Sequence, residues 1–185
     1  MKSSLKLKIL LAVLGLQSAW IVGTTVIQER ALWRGERILL ETRPVDPRDL
    51  LRGDYVILSY KISDVPLQLF RPAIRETLPP GRTVYVALAP RDRFYEVARA
   101  STERLSPARG EVVLKGRSEY WWNSTQQRTV RVAYGLERYY VREGTGNPSG
   151  KITVEVAVPA SGQGVIRQVF VDGQPYAEAM RASAR

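Results

Sequence analysis

The sequence predicts a mainly β protein, in which an N-terminal transmembrane helix precedes a single antiparallel β-sandwich or small β-barrel domain. Two observations predict this fold. Ile9 to Ile27 is a run of 19 residues without a charged side chain. After residue 37, short segments rich in β-branched and aromatic residues alternate with Pro, Gly and polar turns. The length of 185 residues fits one ordinary domain plus this appendage.

The uncharged run, residues 9–27, is long enough to cross a bilayer, because its 19 residues would span roughly 28 Å as a helix. A cleaved signal peptide is the alternative. Its apolar stretch is usually shorter, about 7–15 residues, and ends in small residues. Ser18-Ala19 is instead followed by Trp20 and more apolar sequence, which favours a retained anchor.

The flanks of the run predict its orientation. Residues 1–8 carry three lysines and no acidic residue, and three arginines follow the run within residues 28–37. The number of basic residues is therefore equal on the two sides and does not decide the orientation. A short basic N-terminus ahead of the bulk of the chain is typical of signal anchors. We expect a cytoplasmic N-terminus, an extracytoplasmic domain and a helical linker over residues 28–37.

The β domain is predicted to cover residues 38–176, and residues 177–185 to form a frayed tail or a short helix. Asp172-Gly173 predicts a turn near its end. Eight candidate strands lie between Pro- and Gly-containing breakers: Arg37–Thr42, Tyr55–Ile62, Thr83–Ala89, Tyr95–Arg99, Glu111–Arg117, Thr129–Ala133, Lys151–Ala157 and Val165–Val171.

The most informative stretch runs from Val45 to Ile62. Asp46 fits a helix N-cap, Pro47 the first helical position, and Asp49 the favourable negative charge of a first turn. Gly53 stands where a left-handed residue would end that turn. In the strand that follows, alternate residues point to opposite faces, with Val56, Leu58, Tyr60 and Ile62 on one face and Tyr55, Ile57, Ser59 and Lys61 on the other.

This stretch resembles the motif that gives the GDYXXLXY protein family its name. It reads Gly53-Asp54-Tyr55-Val56-Ile57-Leu58-Ser59-Tyr60, and all five defining positions match. The preceding Asp46 to Leu50 and the later Tyr134 to Gly144 are also similar to that family, although Arg142 stands where its pattern has proline. The resemblance covers most of the chain, including the membrane segment.

The resemblance implies where the protein is located and what kind of partner it has, but it implies no reaction. Members of the family are bacterial membrane-associated proteins without an established activity, often encoded near larger polytopic membrane proteins. The resemblance therefore implies a single-pass protein of the bacterial inner membrane with a polytopic membrane protein as its partner.

Two roles compete for the motif residues. Capping and chain reversal need no ligand, and on that hypothesis the motif is structural; its residues are Asp46, Pro47, Asp49, Gly53, Leu58, Tyr60, Tyr134, Gly135 and Gly144. The other hypothesis is that five charged residues and one tyrosine from both motif segments line a polar cleft that binds a ligand or partner: Arg48, Arg52, Asp54, Tyr55, Glu137 and Glu143. We favour the structural role.

The composition excludes several kinds of chemistry. The chain has no Cys and no His, which are the usual ligands of zinc, copper, haem and iron–sulfur sites. The same absence excludes Ser-His-Asp and Cys-His mechanisms. The chain has a net charge of +10, but acidic residues are interspersed among the basic ones and no recognised nucleic-acid-binding motif occurs. We therefore predict no catalytic residue, metal, cofactor or nucleic-acid partner.

The leading functional hypothesis is an accessory module that docks on a polytopic membrane protein or an envelope complex. The alternative is a serine/lysine hydrolase resembling type I signal peptidases, because Ser59 and Lys61 share a strand face. However, Val45 occupies the position, eight before Gly53, where those enzymes carry their nucleophilic serine. A third hypothesis is a small-ligand or glycan binder that uses Trp121 and Trp122.

Overall fold

A computed structural model describes residues 2–43, 55–74, 78–119, 128–141 and 150–183 of the chain. In these ranges a long N-terminal helix, α1, leads into a domain of antiparallel sheets that ends in a short helix, α2. The domain is mainly β, as predicted, and one of its sheets is nearly closed and barrel-like.

Helix α1 runs from Lys2 to Arg34. Its segment Lys6–Ile27 is long and apolar enough to cross a membrane, with a mean hydropathy of 1.8, and its apolar window is not buried inside the structure. Only Gly35 separates α1 from the first strand, which begins at Glu36. Residues 36 and 37, predicted as the end of a helical linker, therefore belong to that strand, because they pair with Val158 and Ala157.

The strands are short and closely spaced. In chain order they are β1 Glu36–Glu41, β2 Tyr55–Ile57, β3 Asp64–Pro66, β4 Thr83–Arg91, β5 Phe94–Ser101, β6 Val112–Ser118, β7 Thr129–Ala133, β8 Arg138–Tyr140, β9 Ile152–Val158, β10 Val165–Val171 and β11 Gln174–Pro175, followed by α2 Tyr176–Ser183. Two 3₁₀ turns, Lys61–Ser63 and Leu67–Leu69, flank β3.

The strands form three antiparallel sheets. A four-stranded sheet has the order β1-β9-β10-β11, a five-stranded sheet has the order β3-β7-β6-β4-β5, and β2 pairs with β8 alone. Single bridges connect Thr42 to Tyr60 and Phe70 to Ala100. The inward faces of the sheets share one core.

The core follows the alternation expected of half-buried strands. In β1, Ile38 and Leu40 are buried while Leu39 between them is half-buried. In β6, Val112, Leu114 and Gly116 face inward. Gly116 permits a close approach of β7, since a Cβ atom there would lie 2.4 Å from Val132 Cγ1 and 2.6 Å from the Ala133 carbonyl oxygen.

The predicted strand Tyr55–Ile62 is only partly correct. Pairing with β8 ends at Ile57, and Tyr60 instead forms a bridge with Thr42 beside β1, so this segment passes from one sheet to another and turns at residues 61–63. The predicted alternation holds even so. Val56, Leu58, Tyr60 and Ile62 are all at most 4% exposed.

Three strands were not predicted: β3, β8 and β11. Each has only two or three residues, which is too few for a period-two pattern to be recognised. The turn predicted at Asp172-Gly173 is confirmed. Both residues have positive φ, 51° and 84°, and they connect Val171 to its partner Gln174, which is the geometry of a two-residue hairpin.

Candidate functional site

The two motif segments meet in the structure. We call their contact the motif junction, formed by Leu58 and Tyr60 from the first segment and by Tyr134, Leu136 and Glu137 from the second. The Leu58 N–H donates to the Glu137 carbonyl oxygen at 2.8 Å. The Tyr60 hydroxyl donates to the Leu136 carbonyl oxygen, also at 2.8 Å. These bonds hold the end of the first segment against the turn of the second.

A reciprocal bond closes the junction. The Tyr134 hydroxyl donates to the Ile62 carbonyl oxygen at 2.8 Å. Each segment therefore contributes one tyrosine hydroxyl that is hydrogen-bonded to a backbone carbonyl of the other. Both tyrosines are buried. Burial raises the pKa of Tyr60 and of Tyr134 far above the ordinary tyrosine value, and the nearby Glu137 carboxylate raises both pKa values further. The two hydroxyls therefore remain protonated donors.

Glu137, predicted as a cleft residue, serves the turn of the second segment. Its Oε1 accepts the Tyr134 backbone N–H at 2.6 Å. Between these residues Gly135 adopts a φ of +78°, which a residue with a side chain rarely adopts. The half-buried Glu137 carboxylate therefore stabilises a tight backbone turn.

The structure describes some of the remaining predicted residues and does not describe the others. Leu58 and Tyr60 are buried, Tyr134 and Gly135 form the turn, and Tyr55 lies on β2. Other predicted positions lie outside the described residues: Arg48, Arg52, Asp54 and Glu143 of the cleft, Asp46, Pro47, Asp49, Gly53 and Gly144 of the structural motif, and the Trp121-Trp122 pair. The polar cleft stays a prediction.

The outer side of the β2–β8 pair carries an aromatic and cationic surface, which we call the anchor-side patch: Tyr55, Arg138 and Tyr140. The Tyr55 and Tyr140 rings lie 5.9 Å apart between centroids. The Arg138 guanidinium carbon lies 5.3 Å from the Tyr55 ring centroid, within the range of a cation–π contact. Tyr140 is 70% exposed, so the patch offers a large aromatic surface to solvent or to a partner.

A cleft of about 980 Å³ lies between the end of α1 and the β domain. We call it the anchor cleft. Ile27 and Arg30 of α1 form one wall. The domain supplies the rest, from the second motif segment and from the loop into β10: Gly135, Leu136, Arg138, Tyr139, Tyr140, Pro159, Ser161, Gln163, Gly164, Val165 and Ile166.

The patch and the cleft have only weak signals in the sequence. Tyr139-Tyr140 lay inside the second motif segment, but an adjacent pair of tyrosines does not indicate which ring is exposed. In the structure Tyr139 packs edge-on against Tyr176, with 5.5 Å between centroids, and Tyr140 points outward. The cleft depends on how α1 meets the domain, which is a contact between segments more than a hundred residues apart.

A second polar cluster lies beside the junction, centred on Asp64 of β3. Its carboxylate accepts from Arg131 Nη1 at 3.1 Å and also pairs with Arg43. Arg131 Nη2 approaches the Ser59 hydroxyl oxygen at 3.4 Å, and the Arg43 N–H donates to the Ser59 carbonyl oxygen at 2.7 Å. The cluster therefore connects the motif strand to β3 and β7.

Lys61, the other residue of the hydrolase hypothesis, takes part in a separate ion-pair group. Its Nζ lies 2.5 Å from Glu41 Oε2, and Lys151 Nζ lies 2.6 Å from Glu41 Oε1. The hydrogen bonds from Lys151 and then Lys61 lower the pKa of Glu41, against the smaller opposing effect of burial. In the described ranges, no three acidic residues lie close enough together to hold a metal ion.

Comparison with known proteins gives one match. A family model described as GDYXXLXY protein matches residues 17–169, a range that begins inside the apolar helix and ends in β10. No curated protein and no solved structure matches the chain significantly.

Proposed function

Because the chain belongs to the GDYXXLXY protein family, we propose that it is a membrane-anchored, extracytoplasmic accessory module of the bacterial inner membrane that docks on a polytopic membrane protein. The apolar segment Lys6–Ile27 would hold the protein in the bilayer. The domain that follows would present its anchor-side patch to the partner just above the membrane surface.

The exposed patch carries this proposal. Tyrosine and arginine are enriched among the residues that dominate protein–protein binding energies. Here Tyr55 and Arg138 are held together by stacking, so the patch is preorganised and loses little side-chain freedom on binding. Arg138 and Tyr140 also line the cleft that Ile27 and Arg30 complete. In an anchored protein the patch would therefore lie at the membrane end of the domain, within reach of a neighbouring membrane protein.

The contacts of Ser59 and Lys61 favour this role over a serine/lysine hydrolase. Such an enzyme needs a neutral lysine that accepts the serine proton. Lys61 is instead paired with a carboxylate, Glu41 Oε2, in an ion-pair group that Lys151 completes and that does not include Ser59. Ser59 lies against the guanidinium of Arg131, a group that cannot act as a base at neutral pH.

The proposal is tested by crosslinking and co-purification. Full-length tagged protein is crosslinked in membranes, solubilised in mild detergent and purified, and the proteins recovered with it are quantified by mass spectrometry. We expect one integral membrane protein to be recovered specifically. The double substitution Tyr140→Ala with Arg138→Ala should reduce its recovery by roughly 30-fold, the effect of losing about 2 kcal/mol of binding energy.

Arg91→Ala is the matched control. Arg91 is also an exposed arginine with one partner, Glu96, and is the last residue of β4, next to the turn that leads into β5. That turn is at the far end of the domain, because Phe94 contacts Lys151, and β9 runs from beside Lys151 to Val158, which pairs with Glu36 next to α1. Unchanged recovery in the patch variant, or recovery of the protein alone, contradicts the proposal.

A further inference from the structure

The composition of the walls of the anchor cleft is not explained by protein docking. Its described walls combine apolar side chains with two cations and no acidic residue. Leu136, Tyr139 and Ile166 supply part of the apolar surface. Arg30 and Arg138 are both exposed, and in the described part of the chain neither has a carboxylate within ion-pair distance. The cleft is therefore complementary to a molecule with an apolar body and an anionic group.

The position of the cleft indicates where that molecule would come from. The apolar segment of α1 ends at Ile27, which is itself a wall of the cleft. Arg30 follows three residues later, about 4.5 Å further along the helix axis. The polar headgroup layer of a bilayer is about 5–7 Å thick on each side. In a membrane-anchored protein Arg30 would therefore lie at the depth of the lipid phosphates.

The aromatic residue that follows fits the same depth. Trp33 is 75% exposed and its indole N–H donates to Glu29 Oε1 at 2.8 Å, within the helix. Tryptophan is enriched at membrane–water interfaces, where its ring lies among the headgroups. The last turns of α1 therefore have the composition of an interfacial segment, and the cleft opens beside them.

We propose that the anchor cleft binds a membrane phospholipid with an anionic headgroup. The phosphate would lie between Arg30 and Arg138, and the glycerol and upper acyl chain would lie against Leu136, Tyr139 and Ile166 and continue along the apolar face of α1. A volume of about 980 Å³ is at the upper end of the range of small-molecule sites. The proposal rests on the membrane anchoring in the proposed function but not on a protein partner.

The test measures lipid binding to the full-length protein in a neutral detergent. Native mass spectrometry follows the retention of dioleoyl phosphatidylglycerol and, separately, of dioleoyl phosphatidylcholine. We expect one phosphatidylglycerol per chain, bound at least about tenfold more tightly than phosphatidylcholine. Arg30→Gln and Arg138→Gln should each weaken phosphatidylglycerol binding by about tenfold, since a charge-assisted hydrogen bond is lost. Arg91→Gln, at the far end of the domain, should leave it unchanged.

Several outcomes would overturn the proposal. Equal retention of the two lipids would show only the ordinary lipid shell of a transmembrane helix. Unchanged binding in both arginine variants would place the lipid elsewhere. If sn-glycerol 1-phosphate bound as tightly as the lipid, the apolar walls would contribute nothing and the ligand would be a soluble anion.

A photocrosslinking residue in place of Gln163, at the cleft wall, distinguishes lipid from protein in cells. Capture of phospholipid supports the proposal, and capture of a polypeptide in its place overturns it. The lipid site and the protein-docking patch can also be tested separately. Arg30 is not part of the anchor-side patch, so Arg30→Gln should reduce lipid binding while the partner is still recovered. Tyr55 belongs to the patch but does not line the cleft, so Tyr55→Ala should reduce recovery of the partner while lipid is still bound.

Discussion

Three buried tyrosines have different hydrogen-bonding states. Tyr60 and Tyr134 each donate a hydroxyl to a backbone carbonyl of the opposite motif segment. Tyr176 is also buried, but its hydroxyl has no hydrogen-bond partner in the described residues. An unpaired buried hydroxyl costs free energy, whereas a paired one satisfies a carbonyl that would otherwise be left without a donor.

This difference predicts opposite responses to removal of the hydroxyl. Tyr60→Phe and Tyr134→Phe should each lower the free energy of unfolding by about 1–3 kcal/mol, because a buried carbonyl oxygen loses its donor. Tyr176→Phe should leave it unchanged or raise it slightly. Chemical denaturation of the full-length protein in detergent measures all three. Equal effects from the three substitutions would show that the junction bonds do not stabilise the fold.

The sequence was most informative about the roles of individual residues. Tyr60 and Tyr134 were predicted as structural residues of the two motifs, and both are buried at the junction. The role of Glu137 in lining a polar cleft stays a prediction, and in the structure its Oε1 accepts the Tyr134 N–H. The sequence could not distinguish these roles, because a carboxylate three residues after a turn position suits either one.

At the scale of elements, Glu41 connects three parts of the domain. It lies at the end of β1 and pairs with Lys61 of the 3₁₀ turn and with Lys151 just before β9. Its side chain is only 18% exposed. The lysine hydrogen bonds lower the pKa of Glu41 in the folded protein, so folding favours the charged carboxylate.

A pH dependence follows from the direction of this shift. The stabilisation is present above the unfolded-state pKa of about 4.3 and is lost as the pH falls through the lower folded-state pKa. Glu41→Gln should therefore cost about 1 kcal/mol of stability at neutral pH and much less at about pH 3. Thermal unfolding at the two pH values measures the difference between variant and wild type.

Glu96→Gln is the matched control for this prediction. Glu96 also forms an ion pair, with Arg91, but both side chains are more than half exposed. Exposed ion pairs contribute little to stability, so the control should change it little at either pH. A cost of Glu41→Gln that was the same at neutral and acid pH would refute the ion-pair explanation.

Longer elements were predicted better than shorter ones, for a physical reason. β4, β6, β9 and β10 each have seven or more residues with alternating or continuous burial, and their sequences carry that pattern. β3 and β8 are stabilised by pairing with β7 and β2, which are distant in sequence. Local sequence cannot predict a strand whose existence depends on such a partner.

At the scale of the whole molecule, the chain consists of a membrane-compatible helix and a mainly β domain joined by Gly35. The mainly β class and the helix were predictable from composition and periodicity. The closure of one sheet towards a barrel was not, since the sequence left sandwich and barrel open. The anchor cleft was not predictable either, because it exists only where Ile27 and Arg30 face the loop before β10.

The proposed topology can be tested because the chain has no cysteine of its own. Arg91→Cys places a thiol at the far end of the domain, and Ser3→Cys places one at the N-terminus. In cells with a permeabilised outer membrane, a membrane-impermeant maleimide should label Arg91→Cys at once and Ser3→Cys only after lysis. The reverse pattern would contradict the orientation, and soluble protein lacking residues 1–27 would contradict a retained anchor.

The single residue between α1 and β1 has a mechanical consequence. A chain joined through Gly35 alone has almost no slack, so the domain cannot move away from the end of α1 as it could on a flexible tether. In an anchored protein this would restrict the search for a partner to diffusion in two dimensions at one fixed height. The rate of encounter would then depend on the number of molecules per unit area of membrane. Lengthening the joint would lower the effective concentration of each partner at the binding surface of the other.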